Sequence, residues 1–173
     1  QPSSNELTPR WRTQLYDRGI TDQAIDRAGI RPAPHGHGWL YPIDPSITAR
    51  RLKAYPGQHG PKYQWKPGKP QTARFYDPVG DLADHVAAAA GVLILAAGEP
   101  DVWACWSAGI YNVTCTLHGE GTIPAWLIDQ LIALAVHKVE LWPDCDQAGL
   151  NHAIKVRAAL AASGIALAVY ALP

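Results

Sequence analysis

Residues 138–149 read Lys138-Val139-Glu140-Leu141-Trp142-Pro143-Asp144-Cys145-Asp146-Gln147-Ala148-Gly149 and contain the most informative pattern in the chain. An apolar run stops at two carboxylates, and helix-forming sequence follows. This pattern predicts that Asp144 and Asp146 lie at the carboxyl end of a strand, where open α/β sheets bind their ligands. Two hard oxygen donors suit Mg²⁺, which binds through one or two carboxylates plus substrate phosphates. The alternative is a helix-entry turn in which Asp146 only caps the following helix.

A second acidic element lies upstream. Residues 92–97 form a short continuous apolar run, which is typical of a buried parallel strand. The run is followed by Gly98-Glu99-Pro100-Asp101 and then by helix-forming sequence. Two successive strand–helix units present their carboxylates at the same edge of one sheet, so the second element favours a ligand site over a simple cap.

The elements between and after these two strands predict the fold class. Residues 112–117 predict another strand, Gly119 and Gly121 a turn, and Pro124 the first position of a helix. From Val92 onward the order is strand, helix, strand, helix, strand, helix, strand. This order predicts an α/β fold with a parallel sheet and right-handed crossovers.

The ordered motifs of residues 92 to about 172 resemble the TOPRIM domain shared by bacterial-type primases, type IA and type II topoisomerases and some nucleases. The motifs are Gly98-Glu99-Pro100-Asp101, Gly109-Ile110-Tyr111-Asn112-Val113, the Gly119/Gly121 turn and Asp144-Cys145-Asp146-Gln147-Ala148-Gly149. The resemblance implies a Rossmann-like parallel sheet with flanking helices over residues 92–173. It also implies that Asp101, Asp144 and Asp146 hold Mg²⁺ or Mn²⁺ for phosphoryl or nucleotidyl transfer.

Position 97 departs from the family pattern, because Ala97 stands where family members usually have a glutamate. A methyl group can neither ligate a metal nor exchange a proton. Glu99 lies two residues on, past Gly98, so its side chain starts from a different place and is not expected to substitute directly. Either the natural protein has lost the acid or the sequence carries an inactivating substitution, and the three intact aspartates favour the second explanation. The candidate catalytic set is Ala97 (as the position of the family glutamate), Glu99, Asp101, Asp144 and Asp146.

Residues 1–82 predict a smaller α+β subdomain. Residues 7–30 read as two short helices, the second capped by Thr21 and closed by Gly29, and residues 38–43 and 49–55 read as strands. The arrangement, including an Arg-Gly-Ile helical start and a Lys-Tyr pair, is similar to the amino-terminal part of the primase catalytic core. This similarity favours the DnaG-like primase branch, including phage and plasmid primases. Residues 83–91, with four consecutive alanines, predict a connecting helix.

Basic residues cluster in one part of a chain whose formal net charge is zero. Residues 50–74 contain seven basic side chains and no acid, and the interleaved aromatic residues provide flat faces on which bases can stack. Positive charge opposite an acidic metal site suits a template or nucleotide channel. The alternative is a solvated basic loop. The candidate nucleic-acid and nucleotide-binding residues are Arg50, Arg51, Lys53, Lys62, Tyr63, Lys66 and Arg74.

The resemblance implies a primase-like nucleotidyltransferase that performs metal-dependent, template-directed primer synthesis. Its partners would be single-stranded DNA template, nucleotides and a helicase domain or protein, in the setting of a mobile element. Two alternatives stay open: a TOPRIM metal-dependent nuclease, and a catalytically degenerate nucleic-acid-binding module, which Ala97 suggests.

Cysteine usage and hydropathy predict the compartment. The three cysteines form no Cys-x-x-Cys pair, which favours reduced thiols in a cytoplasmic protein. No apolar run reaches the ~18 residues that a membrane-spanning helix needs, so no membrane partner is expected. The chain begins without methionine and stops just after an apparent strand, which favours a fragment of something longer.

Overall fold

The computed structural model describes residues 10–33, 38–46, 50–54, 63–65, 74–117 and 123–170. Within them the amino-terminal half forms two helices followed by a small antiparallel sheet. Its elements are α1 (Arg10–Tyr16), α2 (Asp22–Arg27), β1 (Arg31–Pro32), β2 (Gly38–Pro42), β3 (Arg50–Ala54) and β4 (Tyr63–Trp65). The strand order is β1-β2-β3-β4, with each neighbouring pair antiparallel.

The ends of α2 follow from two local signals. Thr21 has extended backbone angles and its Oγ1 accepts a hydrogen bond from the N–H of Ala24 at 3.4 Å. Gly29 follows the helix with φ +61°, and the N–H of Ile30 bonds back to the carbonyl of Ile25 at 3.1 Å. A residue with positive φ closes a helix in this way at least cost when it is glycine. The predicted cap and stop are both confirmed.

The carboxyl-terminal half forms the predicted parallel sheet. Its elements are α3 (Leu82–Ala88), β5 (Val92–Ala96), α4 (Glu99–Ser107), β6 (Val113–Thr114), α5 (Leu127–Ala133), β7 (Lys138–Trp142), α6 (Gln147–Leu160) and β8 (Ala166–Val169). The strand order is β6-β5-β7-β8, and every neighbouring pair is parallel. The α/β fold class is therefore confirmed.

Two predicted bounds in this half were wrong. The strand predicted at residues 112–117 pairs with β5 only over β6, because the chain then leaves the sheet and Thr116 forms an antiparallel bridge with Phe75. The helix predicted to start at Pro124 starts instead at Leu127, whose N–H bonds to the Pro124 carbonyl in a preceding turn. The predicted Gly119/Gly121 turn lies outside the described residues.

The two faces of β5 pack against different layers, because successive side chains of a strand point to opposite faces. Leu93 and Leu95 join a core with the buried residues of α3, α5 and α6. Ile94 and Ala96 join a second core that contains α4 and also Trp39 and other buried residues of the amino-terminal half. The two halves of the chain thus share one hydrophobic core. None of the described helices is long and apolar enough to cross a bilayer.

Aromatic side chains join the two halves within this shared core. Trp103 of α4 packs edge-on against Tyr41 of β2, with ring centroids 4.9 Å apart. The indole N–H of Trp103 donates to the hydroxyl oxygen of Tyr76 at 2.9 Å. Trp103, Tyr41 and Tyr76 are all fully buried, so these contacts fix α4 against the amino-terminal sheet.

Candidate active site

The order of the parallel strands creates a switch point between β5 and β7. The chain passes from β5 to β6 on one side and then crosses back to β7 on the other. At a point where the direction reverses in this way, the loops at the carboxyl ends of the strands diverge and leave a crevice for ligands. Ala96, the last residue of β5, pairs with Trp142, the last residue of β7. The segments that follow the two strands therefore leave the sheet side by side at the same edge.

The first of these two chain segments contains Ala97 and Asp101. Ala97 directly follows β5 and is half-buried. Gly98 is extended and occupies the N-cap position just before α4, and Pro100 lies in the first turn, where its missing N–H costs no intrahelical bond. Asp101 also lies in the first turn and is exposed, and a negative charge is favoured there by the helix dipole. Ala97 thus lies at the carboxyl edge of the sheet, where its side chain contributes only a methyl group.

Glu99 differs from Asp101 in being buried, with 2% of its surface exposed. Burial raises the pKa of the Tyr76 hydroxyl well above its ordinary value, and the negative charge of Glu99 raises it further. Glu99 therefore acts electrostatically on the buried aromatic core. Its carboxylate belongs to a different environment from that of the three exposed aspartates.

The second segment contains Asp144, Cys145 and Asp146, all of them exposed. Asp146 is the N-cap of α6, and its Oδ1 accepts a hydrogen bond from the N–H of Gly149 at 2.8 Å. The capping interpretation is therefore correct for this oxygen. A carboxylate has two oxygens and about four lone-pair sites, so capping through Oδ1 is compatible with metal binding through Oδ2.

Gly149 allows this turn to fold back on α6. A Cβ at position 149 would lie 1.9 Å from the carbonyl oxygen of Asp144, a separation that no side chain can tolerate. Only glycine permits this close approach, so Gly149 fixes where Asp144 leaves the sheet.

The donor chemistry of this edge suits Mg²⁺ or Mn²⁺. The oxygen donors are hard, and Mg²⁺ usually keeps several waters and binds the protein through one or two carboxylates. Within the described ranges, however, no three His, Cys, Asp or Glu side chains converge closely enough to hold an ion. The structure brings Asp101, Asp144 and Asp146 to one sheet edge without assembling them into a three-ligand group. The residues thus fit a metal bound mainly through Asp144 and Asp146.

Cys105 lies one helical turn after Asp101 and is partly buried. Burial raises the pKa of its thiol to about 11, and the charge of Asp101 contributes to the increase. The free thiol therefore stays protonated at neutral pH.

The basic candidates lie mostly on the antiparallel sheet. Arg50, Arg51 and Lys53 are in β3, and Tyr63 pairs with Lys53 from β4. Positions 51 and 53 share one face of the sheet because alternate residues of a strand do so. For these four residues the description covers the backbone alone. Lys62 and Lys66 lie outside the described residues.

Arg74 has a partner that the sequence did not reveal. Its Nη1 lies 3.3 Å from Oδ2 of Asp44, which follows β2 and has only 2% of its side chain exposed. A lone aspartate next to proline reads as a turn residue, so no sequence signal marks Asp44 as buried.

Comparisons with known proteins place this geometry in context. No protein-family model and no curated protein matches the chain. The Aquifex aeolicus primase (zinc-binding and RNA polymerase domains) matches with a TM-score of 0.76 at 17% identity, covering 94% of this chain and 49% of that one. A DnaG catalytic core matches with a TM-score of 0.70 at 20% identity, and the match covers 98% of this chain and 66% of that one. A DnaG primase catalytic domain bound to single-stranded DNA matches with a TM-score of 0.70 at 22% identity. That match covers 94% of this chain and 63% of the other.

The chain spans between about half and two thirds of the length of these structures. The similarity extends over both halves of the chain, because it covers at least 94% of its residues in all three comparisons. This chain has the fold of the DnaG-type primase catalytic core.

Proposed function

We propose that this chain is a primase-like nucleotidyltransferase core that performs metal-dependent, template-directed primer synthesis. The observation that carries the proposal is the position of Asp101, Asp144 and Asp146, which are exposed at the β5–β7 switch point. The fold, shared with primase catalytic cores, supports the same reaction class.

Asp144 and Asp146, with Asp101 beside them, would hold Mg²⁺ or Mn²⁺. The bound ion supplies charge neutralisation for a nucleoside triphosphate and activation of a primer 3′-hydroxyl. The protein's contribution is positioning, which such reactions depend on almost entirely. Asp144 is fixed by the close contact with Gly149, and Asp146 is fixed by its cap bond to the same residue.

The basic residues of β3 would bind the template strand through its phosphates. The primase catalytic domain that was solved with single-stranded DNA has the same fold, which supports nucleic-acid binding by this chain. The aromatic residues interleaved with these basic positions in the sequence would supply flat faces on which bases stack.

Ala97 supports a second candidate function. Without a carboxylate at this position, the site lacks a ligand or proton acceptor that the resemblance implies for active members. The chain would then be a nucleic-acid-binding module of primase fold that has lost catalysis.

A synthesis assay separates these functions. The protein is incubated with single-stranded DNA, the four nucleoside triphosphates and Mg²⁺ or Mn²⁺, and the products are sized on a denaturing gel. The proposal predicts short templated products that are lost in the Asp144→Asn/Asp146→Asn double variant. Cleavage of the DNA without nucleotides would instead identify a nuclease, and binding without either reaction would identify the degenerate module.

A further inference from the structure

The parallel sheet has one covered edge and one open edge. On the β6 side the chain around Tyr76 covers the edge. The Tyr76 N–H donates to the Cys115 carbonyl at 3.1 Å, and the Thr114 hydroxyl donates to the Tyr76 carbonyl at 2.9 Å. On the β8 side no further strand pairs with the sheet within the described residues. Among the described strands of this sheet, β8 therefore presents the edge that can pair with another chain.

The open edge of β8 presents backbone groups that can pair with a further strand. The N–H groups of Ala166 and Tyr170 donate inward to the carbonyls of His137 and Leu141, each at 2.9 Å. Because successive residues of a strand alternate in direction, the backbone N–H and C=O groups of residues 167 and 169 point away from β7. A row of such groups is a template for another strand.

No charge protects this edge. Residues 158–170, from the last turns of α6 to the end of β8, contain no Asp, Glu, Lys, Arg or His. Exposed edge strands commonly carry a lysine or another charge, which prevents pairing between copies. Two copies of this chain can therefore approach each other along β8 without repulsion and without the cost of burying a charge.

Exposed apolar side chains lie beside the same edge. Leu150 and Ile154 of α6 are 55% and 60% exposed, and Val169 of β8 is 37% exposed. Val169 pairs in register with Leu141, which belongs to the core that α6 covers, so Val169 lies on the α6 side of the sheet. Leu150 and Ile154 lie on the flank of α6 opposite the buried His152. Because β8 is the outermost strand, this open flank is on the same outer side as the open edge.

A two-fold axis brings the strand edge and the helix flank together. Two edge strands related by such an axis pair antiparallel, and each copy presents the same patch to the other. Ala168 lies about 7 Å along β8 from Ala166, at about 3.3 Å per residue. Ile154 lies about 9 Å along α6 from Leu160, at about 1.5 Å per residue. Since the turn between α6 and β8 is short, an axis through Ala168 passes close to Ile154 and sets the two α6 helices antiparallel, side by side.

Charge favours this antiparallel pairing of helices. Arg157 is the basic residue in the last turn of α6, and Asp146 is the N-cap at its other end. Antiparallel packing places the basic end of each helix beside the acidic start of the other. The helix dipoles and the side-chain charges then both attract.

We propose that two copies of this chain form a two-fold dimer by pairing their β8 strands antiparallel, with Leu150 and Ile154 of the two α6 helices packed against each other. The two four-stranded parallel sheets then become one continuous sheet. The interface comprises one strand edge and one helix flank of each copy, which is small for a permanent dimer, so the dimer forms at micromolar and higher concentrations. The dimer does not depend on catalysis at the β5–β7 switch point.

Sedimentation equilibrium of the whole chain in EDTA measures the association. The mass is expected to rise with concentration from that of one chain to that of two. Ile154→Lys sets two like charges face to face at the axis and should weaken the dimer at least about tenfold. Ile132→Lys is the matched control, because Ile132 of α5 is 61% exposed and lies away from β8, and it should leave the dimer unchanged. Both positions are exposed, so folding is not at risk, and circular dichroism verifies it.

A disulfide locates the axis. In a Cys145→Ser background, which removes the exposed native thiol, the new thiol of Ile154→Cys faces its own copy. The Cα atoms of facing residues in closely packed helices come within the range of about 4.4–6.8 Å that a disulfide needs. Mild oxidation is expected to link the Ile154→Cys chains in pairs and to leave Ile132→Cys chains single.

Hydrogen exchange tests the strand pairing itself. The amides of Leu167 and Val169 are expected to exchange more slowly as the protein concentration rises. Protection that is the same at every concentration would show that this chain covers its own edge, and a single-chain mass throughout would show that a second copy does not bind. Either result would overturn the proposal, as would a dimer that Ile154→Lys leaves intact.

Discussion

Ala97 stands at the end of β5, beside the turn that contains Asp144 and Asp146. We expect Ala97→Glu to raise primer synthesis, because a carboxylate at this edge can ligate metal or exchange a proton. General acid–base assistance is typically worth about 10²–10⁴-fold in rate. Added negative charge should also raise Mn²⁺ affinity and lower stability in metal-free buffer through like-charge repulsion.

Ala97→Gln is the matched control, since it has the same shape without the charge. Primer-extension rates are compared for the unmodified chain, Ala97→Glu and Ala97→Gln, and only Ala97→Glu is expected to be faster. If Ala97→Glu supports neither synthesis nor cleavage, the catalytic interpretation gives way to the binding module.

The cysteines provide a second measurement at the scale of single residues. Cys145 is exposed between Asp144 and Asp146, whereas Cys105 is partly buried. Because the pKa of Cys105 is raised to about 11, its reactive thiolate is scarce at neutral pH and increases only as the pH approaches that value. Iodoacetamide at neutral pH should therefore modify Cys145 first, and Mn²⁺ should slow the reaction at Cys145. Peptide mass spectrometry measures both rates, and faster labelling of Cys105 would contradict the assignment.

At the scale of elements, the sequence predicts the buried parallel strands well. β5 is a continuous apolar run, because a strand covered on both faces needs apolar side chains throughout. In β7 buried Val139 and Leu141 alternate with less buried positions, and the strand ends at the Pro143 turn. The end of β6 was missed because the bridge between Phe75 and Thr116 joins distant parts of the chain. The Asp44–Arg74 pair was missed for the same reason, since no local pattern records a long-range ion pair.

The basic strand β3 leads to a prediction about salt dependence. Replacing Arg51 and Lys62 with alanine should weaken single-stranded DNA binding, because fewer counterions are released when fewer phosphates are neutralised. Each lost contact lowers the slope of log K against log salt by about 0.7 for single strands. Fluorescence anisotropy over a salt series measures the slope, with Arg157→Ala on α6 as the control. An unchanged slope of log K against log salt would indicate that Arg51 and Lys62 belong to a solvated basic loop and do not contact phosphates.

At the scale of the whole molecule, Arg27 joins α2 to the carboxyl-terminal half. Its Nη2 donates to both carboxylate oxygens of Asp81, at 2.6 and 2.7 Å. Its guanidinium lies over the rings of Trp106 and Tyr111, 4.8 and 5.0 Å from their centroids. The side chains of Arg27 and Asp81 are 20% and 29% exposed, so this ion pair is only weakly screened by water.

We therefore expect Arg27→Ala to lower the free energy of unfolding by about 1–3 kcal/mol, because it leaves Asp81 without its charged partner. Arg12→Ala is the control: its ion pair with Asp22 is more exposed and lies within the amino-terminal half, so its loss should cost about 0–1 kcal/mol. Urea denaturation measures both. Equal effects would show that Arg27 does not hold the halves together.

The central claim is that one metal site lies at the β5–β7 switch point, held mainly by Asp144 and Asp146, with Asp101 of the neighbouring turn beside it. Paramagnetic broadening of backbone amide signals by Mn²⁺ tests it most directly. We predict that residues 97–101 and 143–147 broaden together at the lowest Mn²⁺ concentration, and that Asp144→Asn/Asp146→Asn removes the effect at both turns. Broadening centred elsewhere in the chain, or confined to one of the two turns, would contradict the claim.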